Sequence, residues 1–181
     1  MDLYEYQGKQ LFARYGIPVS EGVIADTPAE ARAAAEQLAA PVVVKAQVLV
    51  GGRGKAGGIK LAADPAEAEQ HAAAILGMDI RGHTVRRVWV EQSSDIQREY
   101  YFSITFDRGE KRPLLMLTTA GGVEIEDVAE KTPDLLARLH VDPLVGFQPF
   151  HARRLCFDAG IPAEEMRQAG DIMAAAYRAF I

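Results

Sequence analysis

The stretch Val42–Gly58, VVVKAQVLVGGRGKAGG, joins a valine-rich run to a glycine-rich one. Val42–Val50 reads as a buried strand carrying a single lysine, Lys45. It gives way to five glycines, Arg53 and Lys55 within Gly51–Gly58. Glycine reaches positive φ with no Cβ penalty, and bare backbone lets successive N–H groups close on an anion. Arg53 and Lys55 add the charge an oligophosphate needs, and Lys45 stands on a strand from which its ammonium reaches the same phosphates. By itself such a loop reads more simply as a flexible hairpin tip with two solvated cations; the strand lysine and the residues that follow shift the balance toward an anion site.

On either side, local signals mark the elements. Ile59–Ala62 reads as the antiparallel return of the strand. Asp2, three positions before Glu5, has capping-box spacing for a helix over residues 2–15 that Gly16-Ile17-Pro18 stops. Thr27-Pro28-Ala29-Glu30 and Asp64-Pro65-Ala66-Glu67 start two more helices, reaching about Ala39 and Leu76. Val85–Gln92 is a strand; Gln97–Asp107, the turn Asp107–Lys111 and Pro113–Thr119 form a meander. A second glycine loop follows, then a helix at 133–138, an irregular segment over 141–149, and helices near 150–159 and 163–180. The order is helix, strand, helix, strand–loop–strand, helix, strand, then a strand-rich second half. That is an α/β (α+β) chain with two lobes meeting near Glu91–Gln97. The glycine loop lies between two strands and opens no helix, so a Rossmann site is disfavoured, and it lacks the Lys-Ser/Thr ending of a Walker loop.

Composition sets outer limits. The 181 residues are 49% hydrophobic, enough for one good core or two small ones. A net charge of −5 argues against general nucleic-acid binding while leaving room for a local cationic pocket. Cys156, the one cysteine, excludes an internal disulfide and reads as a small buried residue beside Leu155 and Phe157. The polar N-terminus has no apolar signal core, and no apolar run reaches the ~20 residues of a membrane helix, so a cytoplasmic location is expected. His71, His83, His140 and His151 are scattered without ligand spacing and are read as structural or surface residues.

Val88-Trp89-Val90 leads into a polar connection, Glu91 to Glu99. Such a crossing can offer amides to a purine edge and a carboxylate to two ribose hydroxyls. Each residue also has a plainer reading: Glu91 as an edge carboxylate, and Glu99 as half of an ion pair with Arg98.

Taken together, LYEYQGKQLFARYGIPV (3–19), VVVKAQVLVGGRGKAGGIKL (42–61), VEQSSDIQREYYFSI (90–104), TTAGGVEIEDVAEKTPD (118–134) and DPLVGFQPFHARRL (142–155) resemble the ATP-grasp fold. Within it they resemble most closely the β subunits of succinyl-CoA synthetase (succinate–CoA ligase). The resemblance implies two lobes with a nucleotide cleft between them, approximately 20–92 in the first, and 1–19 with 93–181 in the second. Lys45 then looks like the phosphate-binding lysine, and Gly52, Arg53 and Gly54 like the loop closing over the nucleotide. Glu91 and Ser94 look like hinge positions beside the base, and Glu99 like the ribose-binding carboxylate. No catalytic residue is implied within the chain. The family passes the γ-phosphate of ATP (or GTP) to a histidine of a partner α subunit. Succinate takes the phosphate and CoA displaces it, a reaction of the citric acid cycle.

The resemblance further implies that the Asn and Asp ligands of Mg²⁺, and the CoA-ligase domain, lie beyond residue 181. The 181 residues alone are therefore expected to bind nucleotide weakly and not to turn over, with Glu124, Glu126 and Asp127 the acidic residues to consider for the metal instead. The Thr118–Glu126 loop is expected either to dock the partner's phosphohistidine loop or simply to join strand to helix. Related readings are the ATP-grasp part of malate–CoA ligase or ATP-citrate lyase, and a non-catalytic module that binds the α subunit.

Overall fold

The computed structural model describes residues 2–39, 41–122 and 125–181, without the side chains of Glu126 and Asp127. The chain divides into two compact units, Met1–Ala13 with Pro18–Asp95, and Arg14–Ile17 with Ile96–Ile181. The chain's last crossing from the first unit to the second lies at Asp95–Ile96. Residues 1–13, expected with the second lobe, group with the first unit, because the N-terminal helix packs on that unit's sheet.

In the first unit, β1 (Gly22–Ala25), β2 (Val42–Ala46), β3 (Ile59–Ala62) and β6 (Val88–Gln92) form an antiparallel sheet in the order β1-β6-β2-β3. Helices α2 (Pro28–Gln37) and α3 (Pro65–Ile75) start where the sequence marks them. Thr27 accepts from the Glu30 N–H and Glu30 reaches back to the Thr27 N–H, while Asp64 accepts from the N–H groups of Ala66 and Glu67. These caps satisfy donors that a helix start leaves open. Both helices pack on one sheet face through small residues: Ala31, Ala34, Ala35, Ala68 and Ala72 meet Val42, Val44, Val88 and Val90, all buried. A hairpin of β4 (Asp79–Ile80) and β5 (His83–Thr84) turns through Arg81 and Gly82, both at positive φ.

β2 is shorter than expected and ends at Ala46. There the Gln47 N–H still donates to the Arg87 carbonyl, while its buried side chain donates to the carbonyls of Lys45 and Ala46 and accepts from the Tyr6 N–H. The first helix, α1 (Glu5–Arg14), also starts later than Asp2 implies, with the Gln7 side chain accepting from the Tyr4 N–H.

In the second unit β7 (Tyr101–Asp107), β8 (Arg112–Thr118) and β9 (Ala137–His140) make an antiparallel sheet against α5 (Pro149–Ala159) and α6 (Met166–Phe180). Leu115, Leu117, Val141, Leu155, Cys156, Met173 and Tyr177 are its buried core. The helix expected at 133–138 is absent. Instead α4 covers Ile125–Lys131, Pro133–Leu135 makes one 3₁₀ turn, and Ala137–His140 pairs with Leu114–Leu117. The pattern of PDLLARLH suits either state, and an open edge of β8 decides for the strand. Cys156 is buried beside Leu155, and burial pushes its thiol pKa up, so it is an inert core thiol. Phe157 faces solvent rather than the core.

Candidate functional site

Side chains alternate across a strand, so the face of β2 and β6 opposite Val44 and Val90 carries Lys45, Trp89 and Glu91. Antiparallel register sets Lys45 across from Trp89 and Val43 across from Glu91, which puts Lys45 and Glu91 on a diagonal. Helix α1 lies on this face: Tyr6 stacks on Trp89 with ring centroids 6.1 Å apart, and Glu5 and Lys9 point at the strand residues.

A network results in which three cations meet two carboxylates. Lys45 and Lys9 both pair with Glu91, whose Oε2 also accepts from Trp89 Nε1 at 2.7 Å. Glu5 lies 3.4 Å from Lys9, 3.5 Å from Lys45 and 2.5 Å from Arg53 Nη1. Arg53 also donates to the Ala46 carbonyl at 3.1 Å. Glu91 is only 5% exposed. Burial pushes the Glu91 carboxyl up, but the hydrogen bonds from Lys45 and Lys9, the Lys45 charge and the Trp89 N–H outweigh it and hold it below the usual range. Glu5 follows the same pattern, with burial opposed by Arg53, Lys45 and Lys9.

The folded protein thus keeps Glu5 and Glu91 ionised where the unfolded chain begins to take up protons. Stability is expected to be full above the ordinary carboxylate pKa and to fall as pH drops through it and below. Thermal unfolding from pH 7 to 3 checks this: the difference between wild type and Glu91→Gln is greatest near neutrality and closes with acid. A gap that widened with acid would contradict the pairing.

The glycine loop lies at the end of this face. Gly52 and Gly57 have φ of 85° and 78°. Gly58 is buried, and a Cβ there would come within 3.0 Å of Ala46 Cβ and Ile80 Cδ1. Bonds from the Gly58 N–H to the Arg53 carbonyl and from the Ala46 N–H to the Gly58 carbonyl tie the loop back to β2. Gly54 and Lys55 are exposed, and Arg81 of the β4–β5 hairpin brings its guanidinium beside Gly52. Sequence reading singled out Lys45, Arg53 and Glu91 separately; the structure brings them together. It missed Glu5, Lys9, Trp89 and Arg81. The one available signal was Glu5 and Lys9 at i,i+4 spacing on α1. Ser94 is exposed in the same unit, its hydroxyl 3.5 Å from that of Ser20.

Glu99 belongs to the second unit and is exposed. Arg98 turns to Glu165, at 2.5 Å, and Tyr100 donates to the same carboxylate. The second glycine loop packs on Glu99. A Cβ on Gly121 would come 2.4 Å from the Glu99 carbonyl oxygen, and one on Gly122 would come 2.8 Å from Glu99 Oε2. Arg98, Glu99, Tyr100, Thr119, Gly160 and Pro162 line an open hollow of about 450 Å³. The remainder of that loop, Val123 and Glu124, and the side chains of Glu126 and Asp127 lie outside the described residues.

Among the described residues no three of His, Cys, Asp and Glu converge as metal ligands. The two enclosed carboxylates of the first unit, Glu5 and Glu91, are already neutralised by cations, so these residues do not fit a Mg²⁺ ion. Of the histidines, His151 is buried and accepts from the Gln148 N–H, His140 pairs with Asp107, and His71 meets the Leu61 carbonyl. Among the described residues, no helix is long and apolar enough to cross a membrane.

The family model described as ATP-grasp domain matches residues 2–181. A succinate–CoA ligase (ADP-forming) subunit beta from Rubrobacter xylanophilus is 56% identical over 180 residues, covering 99% of this chain and 47% of that protein. A succinate–CoA ligase (GDP-forming) subunit beta from Thermus thermophilus is 48% identical over 180 residues, again 47% of its length. The chain spans about half the length of the curated relatives it matches. Among solved structures, a dinucleotide-forming acetyl-coenzyme A synthetase 1 from Ca. Korarchaeum cryptofilum superposes with a TM-score of 0.79 at 18% identity, over 98% of this chain and 79% of that one. An ATP citrate lyase from Methanothrix soehngenii gives 0.73 at 20% identity, over 99% and 43%. At these identities the structural likeness speaks to fold alone.

Proposed function

The chain belongs to the ATP-grasp family, and from that premise we propose that it is the nucleotide-binding part of a succinate–CoA ligase β subunit. The observation that carries the reading is the cationic cluster of Lys45 and Arg53, set on a rigid strand and a glycine loop at one end of a buried sheet face. Identity of about half along nearly the whole chain to proteins with that name supports it.

In this reading Lys45 and Arg53 take the phosphate oxygens, and the exposed backbone around Gly52 and Gly54 closes over them. Phosphoryl transfer asks the protein chiefly to position oxygens and stabilise their charge, which lysine and arginine at fixed places do. Glu91 holds the Lys45 ammonium in place and, with Ser94, stands at the hinge beside the base. Glu99 offers a solvent-facing carboxylate to the ribose hydroxyls. ATP with Mg²⁺ is the family's nucleotide form. In the complete enzyme the phosphoryl group goes to a histidine of an α subunit and then to succinate, before CoA forms the thioester. A GDP-forming relative leaves the choice of ATP or GTP to experiment.

Calorimetric titration of the 181-residue chain with ATP, ADP and GTP, with and without Mg²⁺, tests the proposal. Weak nucleotide binding is expected, lost in Lys45→Met and in Glu99→Ala. An affinity that neither substitution alters would remove the site assignment.

A further inference from the structure

Both cations offered to the phosphates are already paired with one residue. Glu5 bridges Lys45 and Arg53, at 3.5 and 2.5 Å, from a helix remote in sequence from either strand or loop. Its side chain is 19% exposed, and those of Lys45 and Arg53 are 19% and 22% exposed, so the contacts are mostly shielded from water. Glu91 does not play the same part. It is tied from below by Trp89 and by two lysines, and makes the floor of the site. Lys9 touches Glu5 at 3.4 Å as well as Glu91, so a cation remains for both carboxylates if Lys45 and Arg53 turn elsewhere.

We infer that the Glu5 carboxylate is an internal counter-ion that competes with phosphate for Lys45 and Arg53 and is exchanged for the incoming phosphate. A carboxylate and a phosphate oxygen compete for the same fork of guanidinium donors and the same ammonium group. Bound phosphate takes over Lys45 and Arg53, and Glu5 keeps its pairing with Lys9. The exchange keeps the cations ordered and prevents them from capturing stray anions, and it lowers affinity by the fraction of molecules in which Glu5 is seated. The inference rests on the phosphate role proposed for Lys45 and Arg53.

The test compares wild type, Glu5→Gln, Glu5→Asp and Lys45→Met by calorimetry, with ATP and, separately, inorganic tripolyphosphate as the titrants. Glutamine keeps the shape and removes the charge, so Glu5→Gln is expected to bind both titrants about tenfold more tightly, which is about 1.4 kcal/mol. Glu5→Asp keeps the charge on a shorter stem, and is expected to fall between wild type and Glu5→Gln. Circular dichroism melts of each variant show that it is folded under the conditions used. Unchanged or weaker binding by a folded Glu5→Gln protein overturns the inference. If Lys45→Met still abolishes binding in that case, the phosphate-site reading stands without it. If binding of both titrants is indifferent to Lys45, both fall together.

Discussion

Lys45→Met is expected to weaken nucleotide binding about 10- to 100-fold, since hydrogen bonds to charged groups contribute roughly 1.5–3 kcal/mol. Methionine keeps the stem that packs on the strand and deletes only the ammonium. It also leaves Glu91, 5% exposed, with Lys9 and the Trp89 N–H as its remaining partners among those described. Stripping every partner from a buried charge costs about 3–5 kcal/mol. With two partners kept, a loss of stability of about 1–3 kcal/mol is expected. The double variant Lys45→Met with Glu91→Gln separates the two effects. Glutamine carries no charge and can still accept from Trp89, so the double variant should regain most of the lost stability and none of the lost affinity. Chemical denaturation and calorimetry on the same samples measure both. Recovery of affinity in the double variant would mean that Lys45 acts on the fold and not on the ligand.

Gly121→Ala is expected to disturb the second unit more than its single added carbon implies. The new Cβ would sit 2.4 Å from the Glu99 carbonyl oxygen and 2.5 Å from its carbonyl carbon. No rotamer change relieves a clash between backbones, so the loop or the segment at Glu99 must move, at a cost of about 1–3 kcal/mol. Because the displaced segment carries Glu99, nucleotide affinity should fall although the Lys45 cluster is untouched. Gly8→Ala is the control. Nothing lies within 4 Å of a Cβ there, and alanine gains about 1 kcal/mol over glycine inside a helix. A Gly121→Ala protein that melts and binds like wild type would show that the loop and Glu99 move independently of each other.

The two carboxylates illustrate how the site divides between legible and hidden features. Lys45 and Arg53 stood out because a lysine in a valine run and an arginine among glycines are chemically conspicuous. Glu91 stood out as an acid ending an apolar strand, but its partners did not. Lys9 and Glu91 are 82 positions apart, and only the packing of α1 on the β2–β6 face joins them. By sequence Glu5 is only an acid at capping-box spacing from Asp2 and Lys9 carries no signal of its own; the packing of α1 turns both toward the strands.

Elements set by contacts within a few residues were determined by the sequence itself. Thr27 and Asp64 cap α2 and α3 through bonds two or three residues away, and proline at the next position fixes the helical φ. The turn at 107–111 likewise closes on its own Asp107, which accepts from Gly109 and Glu110. Tertiary structure alone decided the rest. Ala137–His140 became a strand because β8 had an unpaired edge, and a backbone ladder outweighs a weak helical preference. Gln47 is buried at the end of β2 because its side-chain amide finds backbone partners there and on α1. Register placed Lys45 and Glu91 on one face, and α1 covered that face with Glu5 and Lys9. Such pairings depend on which surfaces meet, a choice made by burial over the whole unit and written in no short stretch of the chain.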